Sequence, residues 1–136
     1  MQPYQSKFKK LPGTNYKEIY PVALAIFKQI KSKTKRRPYI RSAYFRKEKV
    51  FLDYFWQHLR EKSLRDRTRR LKYYQCALDL IKNSRLEPIS KQNPNKPREI
   101  LHRFAGLTNN KELFFVQISK DKKKGHKYFM SVFPPE

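Results

Sequence analysis

Hydrophobic residues recur with two periods along this chain, a helical period in the first two thirds and an alternating one at the end. In the last third, apolar and polar residues alternate in three short runs, at about 99–107, 112–121 and 127–133. The runs are separated by Asn109-Asn110 and by Lys123-Lys124-Gly125, which are residue types that favour hairpin turns. The pattern therefore predicts three antiparallel strands joined by two tight turns.

The two turns also predict how these strands pair. A two-residue turn between the first two strands places His102 opposite Gln117, and a three-residue turn between the next two places Gln117 opposite Ser131. Because side chains alternate between the faces of a sheet, one face is then almost wholly apolar, with Arg103 as its single charged residue. That face is expected to pack on helices. The opposite face is expected to carry a polar row of His102, Gln117 and Ser131.

Helical spacing of apolar residues predicts three helices before this sheet. A capping pattern begins the first helix at Asn15, with Glu18 three positions later, and Ser63 with Asp66 begins the third in the same way. The predicted helices span about 15–31, 45–62 and 63–84.

These elements predict an α+β fold. Three N-terminal helices, at about 15–84, pack on one face of a C-terminal antiparallel sheet of three to four strands, at about 86–133. Residues 1–14 contain two Pro, one Gly and several Lys, and are predicted to be a flexible basic lead-in. Residues 15–136 are predicted to form a single domain.

The composition adds a strong positive charge to this picture. The 136 residues include 33 Lys and Arg against 11 Asp and Glu, which gives a formal net charge of +22 and a pI of about 10.3. Such an excess favours a polyanionic partner, with nucleic acid as the leading candidate and an anionic membrane or an acidic protein as the others. Nine Tyr, ten Phe and one Trp interleave with the basic residues, a combination typical of surfaces that stack on bases.

Several protein classes are disfavoured by what the sequence lacks. Cys76 is the single cysteine, which excludes a disulfide framework and a thiolate metal site. His58, His102 and His126 show no zinc-binding spacing. No apolar run is long enough to span a membrane and no secretory pattern is present, so a cytoplasmic protein is expected. The sequence implies no cofactor and no metal.

Two basic segments are candidates to bind phosphates. The stretch 31–41 contains six basic residues and no acid, and the start of the third helix places Arg65, Arg69 and Lys72 on one face. A solvated loop and an exposed charged face are the alternatives. With the second hairpin included, the candidate nucleic-acid-binding residues are Lys35, Arg36, Arg37, Arg41, Arg65, Arg67, Arg69, Arg70, Lys72 and Lys122.

The final segment reads FFVQISKDKKKGHKYFMSVFP, and it belongs to a short basic chain with helices before its sheet. In these features the chain resembles the phage-associated branch of the barnase–EndoU–colicin–RelE-like nuclease superfamily. The resemblance spans about 45–136 and implies metal-independent cleavage of RNA, in which a ribose 2′-hydroxyl attacks the adjacent phosphate. The family places polar and basic residues on the open face of the sheet, and the matching positions here are His102, Gln117 and Ser131. A Glu–His pair of the barnase kind is not evident.

Such a reaction needs a base, an acid and cations that hold the charge of the phosphorane. His102 is the expected base or acid, because the pKa of an imidazole lies near neutrality. Gln117 and Ser131 are expected to position the phosphate or the ribose. The expected sources of positive charge are Lys120, Lys122, Lys127 and Arg103. The alternative is a self-contained polar patch with no catalytic role.

The expected function is therefore an endoribonuclease, toxin-like or phage-effector-like, that acts on tRNA, mRNA or rRNA. An acidic inhibitor or antitoxin is a further hypothesis, because a free nuclease of this charge endangers its own cell. The main alternative is a non-catalytic RNA- or DNA-binding module that uses its basic helix face and arm. A third interpretation is a structural or ribosome-associated protein.

Overall fold

Helices are interleaved with strands along the chain in the computed structural model, which describes residues 1–136. The strands are β1 (Tyr4–Gln5), β2 (Tyr39–Ser42), β3 (Glu48–Phe51), β4 (Ile89–Gln92), β5 (Glu99–Leu107), β6 (Leu113–Asp121) and β7 (Lys127–Phe133). The helices are α1 (Tyr16–Ser32), α2 (Asp53–Leu59), α3 (Leu64–Leu71) and α4 (Tyr74–Asn83). One curled, mixed sheet runs in the order β1-β5-β6-β7-β3-β2, and β4 pairs with β5 on the same edge as β1.

The molecule is α+β, but the predicted arrangement is wrong. Four helices are interleaved with strands, and the sheet is mixed and seven-stranded instead of antiparallel with three to four strands. The largest error falls on 45–62, predicted as one helix: its first part completes a hairpin of β2 and β3, and α2 begins only at Asp53. β3 is held between β2 and β7, and β7 lies far away in sequence. Local periodicity cannot reveal such a distant partner.

The predicted third helix, 63–84, is two helices, α3 and α4, with a break at Lys72-Tyr73. At this break the backbone N–H of Leu11 donates to the carbonyl oxygen of Lys72 at 2.8 Å. The N-terminal segment therefore satisfies a backbone group that a continuous helix would have bonded internally.

Both predicted capping patterns are confirmed. The side chain of Asn15 accepts a hydrogen bond from the backbone N–H of Glu18 at 3.1 Å, before α1. Ser63 accepts one from the N–H of Asp66 at 3.2 Å, before α3. Each cap satisfies a donor that the first helical turn leaves free.

Residues 1–14, predicted as a flexible lead-in, pack against the rest of the chain instead. β1 adds to the edge of β5, and Ser6 and Leu11 are buried. The anchor is Asp79 of α4, a buried carboxylate that accepts hydrogen bonds from the hydroxyls of Tyr4 (3.2 Å) and Ser6 (2.8 Å). A buried carboxylate needs such partners, so these bonds dock the segment on α4.

The core lies between the helices and one face of the sheet. The inward side chains of the central strands are Phe104, Phe114, Val116, Ile118, Phe129 and Val132, and they pack on α2 and α4. Phe55 of α2 stacks on Phe129 with ring centres 4.7 Å apart. Gly106 leaves room for the ring of Phe114, its cross-strand partner.

The register of the strands differs from the predicted one by one residue at the first turn. The loop has three residues, because the N–H of Thr108 bonds the carbonyl of Glu112 and Lys111 takes a positive φ of 69°. Arg103, and not His102, is therefore opposite Gln117. The predicted pairing of His102 with Gln117 is wrong.

The predicted pairing of Gln117 with Ser131 is confirmed, although the turn between their strands was predicted wrongly. The second turn pairs Lys120 with Lys127, so it is longer than predicted. A bulge at Met130 then inserts one extra residue into β7 and restores the partner of Gln117.

Candidate nucleic-acid interface

The face of the sheet turned away from the core carries aromatic rings in two rows, and we call it the open face. In the first row, the rings of Tyr39 and Phe51 lie 6.4 Å apart and those of Phe51 and Tyr128 lie 5.9 Å apart. In the second row, Phe115 and Phe133 lie 5.8 Å apart. Strand pairing explains the rows, because each ring is opposite or beside the next in register. All five rings are half-buried, so one side of each remains available.

Cations lie over the first aromatic row. The Arg37 guanidinium carbon is 4.5 Å from the centre of the Phe51 ring and 5.3 Å from that of Tyr128. Two hydrogen bonds to the carboxylate of Asp53, at 2.8 and 3.1 Å, hold this guanidinium in place. Lys49 lies 4.6 Å from the centre of the Tyr39 ring. Cations held over rings in this way carry charge at fixed positions beside surfaces on which bases can stack.

Two more guanidinium groups flank the second row and form, with two polar side chains, what we call the arginine clamp. Arg103 donates to the amide oxygen of Gln117 at 3.2 Å, and Arg70 of α3 donates to the hydroxyl of Ser131 at 2.5 Å. Both guanidinium carbons lie over the ring of Phe133, at 5.1 and 5.5 Å from its centre. These two planar cations are held by an amide oxygen and a hydroxyl oxygen that accept from them, and their remaining N–H groups match the donors that a phosphate group needs.

The basic arm predicted to bind phosphates lies next to the open face. A cavity of about 710 Å³ is shared between the arm and the rings of Tyr39 and Phe51. Its basic lining residues are Lys33, Lys35, Arg36, Arg37 and Lys49. Arg41, on the edge strand β2, lies 5.5 Å from the centre of the Tyr39 ring. The arm and the open face therefore form one continuous basic and aromatic surface.

His102 lies on the other face, away from Gln117 and Ser131. Its Nδ1 is 2.7 Å from the hydroxyl of Ser90, and its Nε2 is buried without a hydrogen-bond partner. Burial lowers the pKa of His102, and the charges of Lys120 and Lys127 lower it further. The imidazole is therefore neutral at physiological pH.

Lys120 and Lys127, predicted as catalytic cations, are opposite each other in the sheet on the side of His102. The ammonium of Lys127 is buried, and it donates to Glu48 at 2.9 Å and to the carbonyl of Gly125 at 3.1 Å. This ion pair keeps the pKa of Glu48 below its usual value. The six predicted catalytic residues are therefore divided between the two faces, with Arg103, Gln117 and Ser131 together on the open face.

The predicted arginine face of α3 is split between different surroundings. Arg67 donates to the backbone carbonyls of Lys62 (2.9 Å) and Arg60 (2.8 Å), which braces the loop before the helix. A separate cavity of about 470 Å³, next to the start of α1, is lined by Arg65, Arg69 and Lys72. Only Arg70 reaches the open face. Lys122 lies at the second hairpin and donates to Gln92 at 2.9 Å.

The aromatic rows were missed from the sequence, although a signal for part of them was present. Tyr39-Ile40 and Val50-Phe51 pair an aromatic with a β-branched residue, which are the residue types that favour strands. The helical spacing of the following residues concealed it. His126 was not assigned a role either, and it is exposed beside Phe51 and Tyr128, with ring centres 6.0 and 6.5 Å away.

The remaining features of the chain do not point to another kind of site. No three His, Cys, Asp or Glu side chains come together in a way that could hold a metal ion. None of the four helices has both the length and the apolar character needed to cross a bilayer. No protein-family model, curated protein or solved structure matches this chain.

Proposed function

We propose that this protein binds single-stranded RNA across its open face. The observation that supports the proposal is the pair of aromatic rows with cations held over them, on a chain with a net charge of +22. Bases stack on the half-exposed rings, and the phosphates meet Arg37, Arg70 and Arg103. Gln117, half-buried on this face, adds an amide that can bond the ribose 2′-hydroxyl, the group that distinguishes RNA from DNA, whereas Ser131 is buried and holds Arg70.

A single strand fits this surface better than a duplex does. In a duplex the bases are stacked on one another, and they cannot reach the rings of a flat sheet. A duplex would therefore gain only the charge interaction, which depends little on the five aromatic side chains. The proposal thus predicts a preference for single strands that disappears when the rings are removed.

A second candidate function, metal-independent cleavage of the bound RNA, is supported by an arginine and a histidine that lie together beside the first aromatic row. In this reaction the 2′-oxygen forms a bond to phosphorus and the bond to the 5′-oxygen breaks, which leaves a 2′,3′-cyclic phosphate. Arg37 lies over the rings of Phe51 and Tyr128, where its guanidinium can hold the charge of the phosphorane. His126 lies beside the same two rings, so its imidazole can accept and return the protons there. The resemblance to toxin-like and phage-associated nucleases supports the same chemistry.

An acidic inhibitor or antitoxin that covers the open face belongs to this second candidate. A carboxylate-rich surface would pair with the same guanidinium groups that bind phosphate, so inhibitor and RNA would compete. Isolation of the native protein from its source, without any acidic partner attached, would argue against the inhibitor. Because the proposed ligand is cellular RNA, the proposed location of the protein is the cytoplasm.

The proposal is tested by fluorescence anisotropy with a labelled single-stranded RNA and with the matching duplex. Arg103→Gln should weaken single-strand binding and lower the salt slope by about 0.7, because one phosphate contact is lost. Lys17→Gln is the matched control, since Lys17 is exposed on α1 and carries the same charge. Equal losses in both variants, or equal affinity of the wild type for duplex and single strand, would overturn the proposal.

Cleavage is tested on total RNA in EDTA with the wild type and with His126→Ala and His102→Ala variants. We expect 2′,3′-cyclic phosphate ends with the wild type, their loss with His126→Ala and their retention with His102→Ala. If the folded His102→Ala protein alone loses cleavage, the reaction takes place on the opposite face. RNA binding without cleavage by any of the proteins would remove the second candidate and leave the first intact.

A further inference from the structure

A second concentration of positive charge lies beside the open face. It lines a cavity of about 830 Å³ between the β2–β3 loop (43–47) and the C-terminal end of α4. Five of the nine lining residues are basic and one, Glu87, is acidic. The basic residues are Arg41, Arg46, Lys47, Lys82 and Arg85.

The five cations of this cavity are not neutralised within the protein. None of them forms an ion pair with Glu87 or with any other acid. Like charges around a concave surface focus a positive potential into it, which attracts anions. The volume lies within the range of about 300–1,000 Å³ that is typical of small-ligand sites. The cavity therefore has the charge and the size to hold phosphate groups with an attached nucleoside.

The backbone of the β2–β3 loop holds two of these cations in a conformation that does not suit them. Arg46 has a φ of 56° and Lys47 a φ of 66°, in the left-handed region that glycine adopts without strain. The N–H of Lys47 bonds the carbonyl of Ser42 at 2.7 Å, so the loop is closed in this form. Glycine at both positions would favour the same loop. Backbone strain of this kind is found often at binding sites, and here it coincides with the charged cavity.

Arg41 connects this cavity with the open face. Its guanidinium lies over Tyr39, which belongs to the first aromatic row, and its Nη1 donates to the carbonyl of Lys47 at 2.9 Å. β2 is the last strand of the sheet, so a chain that leaves the open face on this side meets the cavity next. The ring of Tyr44 lines the cavity, and contacts with Phe45 and Phe104 hold it in place.

We infer that the cavity is a second phosphate-binding site, which holds the RNA backbone as the strand passes round the edge of β2. The inference rests on the proposed RNA binding and extends it. A short strand occupies the open face alone, and a longer strand reaches Arg46, Lys47, Lys82 and Arg85 as well. The added affinity of the longer strand therefore depends on the cavity.

The test compares single-stranded RNA oligonucleotides of about 4 and about 16 nucleotides, a span of lengths that single-strand sites occupy. Their affinities are measured by fluorescence anisotropy over a range of salt concentrations. The first variant is Arg46→Gly with Lys47→Gly, and the second is Lys82→Gln with Arg85→Gln, which leaves the loop unchanged. The control is Lys111→Gly in the β5–β6 loop at the opposite end of the sheet, which removes a charge and relieves the strain of a positive φ of 69°.

We expect each double variant to lose at least tenfold in affinity for the long strand and about 1.4 in salt slope, with the short strand unaffected. The two glycine variants should also melt a few degrees higher than the wild type, since both relieve strain. Lys111→Gly should bind both strands like the wild type.

Other outcomes overturn the inference, and they separate it from the proposed function. If the long strand keeps its advantage in both double variants, or loses as much in Lys111→Gly, the cavity is not a binding site. Equal affinity of the wild type for both strands would also overturn it and leave binding at the open face intact. If the wild type binds neither strand, both the inference and the proposed function fail.

Discussion

Replacing Phe133 by alanine is the sharpest test of the open face. The ring of Phe133 is half-exposed, lies 5.8 Å from the ring of Phe115, and carries the guanidinium groups of Arg70 and Arg103 over its face. Its removal takes away one stacking platform and the support of the arginine clamp. RNA affinity and protein stability should therefore both change, by amounts that the contacts allow us to estimate.

For RNA affinity, loss of one base–aromatic stack costs about 1–3 kcal/mol, which is about 5- to 150-fold in Kd. For stability, two exposed cation–π contacts contribute about 0.5–1 kcal/mol each, and the aromatic pair about 0.5–1.5 kcal/mol. The expected loss in the free energy of unfolding is therefore about 1.5–3.5 kcal/mol, less than the 5–15 kcal/mol that is typical of a domain. The variant should remain folded but melt several degrees lower.

Anisotropy with a labelled single strand, together with a thermal melt, measures both quantities on the same protein. Phe133→Trp restores a ring and should recover the affinity. Leu113→Ala is the matched control, because Leu113 is an exposed apolar residue of the same strand pair without a cation over it. Wild-type affinity in a folded Phe133→Ala protein would refute the stacking argument. An equal loss in Leu113→Ala would show that general apolar contact, and not the ring, supports binding.

Three further predictions concern the fold. Gly106→Ala places a methyl carbon 2.4 Å from the Phe114 ring, and we expect a loss of about 1–3 kcal/mol of stability; an unchanged melting temperature would contradict it. Burial raises the pKa of the Cys76 thiol to about 11. Iodoacetamide at neutral pH should therefore label the unfolded protein and not the native one, and rapid labelling of the native protein would contradict this. Burial lowers the pKa of both His58 and His102, so the unfolded chain takes up their protons first. The contribution of these two histidines to the free energy of unfolding should be complete above about pH 6.5 and should fall as the pH drops towards their lower folded-state pKa values. A urea midpoint that stays constant from pH 7 to about pH 5 would contradict this.

Much of the local structure could be predicted from neighbouring residues alone. The predicted strands at 99–107 and 127–133 coincide with β5 and β7, and the caps at Asn15 and Ser63 form the expected hydrogen bonds. Helix caps and strand alternation depend on groups within a few positions of each other, so the sequence carries their whole physical cause. The excess of positive charge and the aromatic content are likewise properties of the chain before it folds.

The contents of each face of the sheet depended on two irregularities that residue type does not reveal. Lys111 takes a left-handed conformation that Asn and Gly usually supply, and this lengthens the first turn by one residue. Because side chains alternate with a period of two, that residue moves His102 to the core side and brings Arg103 opposite Gln117. Met130 forms a bulge that restores the pairing of Ser131.

Tertiary structure alone assembled the candidate site. Tyr39 and Phe51 become neighbours of Tyr128 because β3 pairs with β7, and Arg70 meets Ser131 across a separation of 61 residues. Such contacts form because β7 pairs with the backbone of β3 and packs on the apolar face of α2. No local pattern in the sequence specifies this pairing. The sequence by itself determined what kind of groups the molecule carries. Long-range pairing decided which of them lie side by side on the open face.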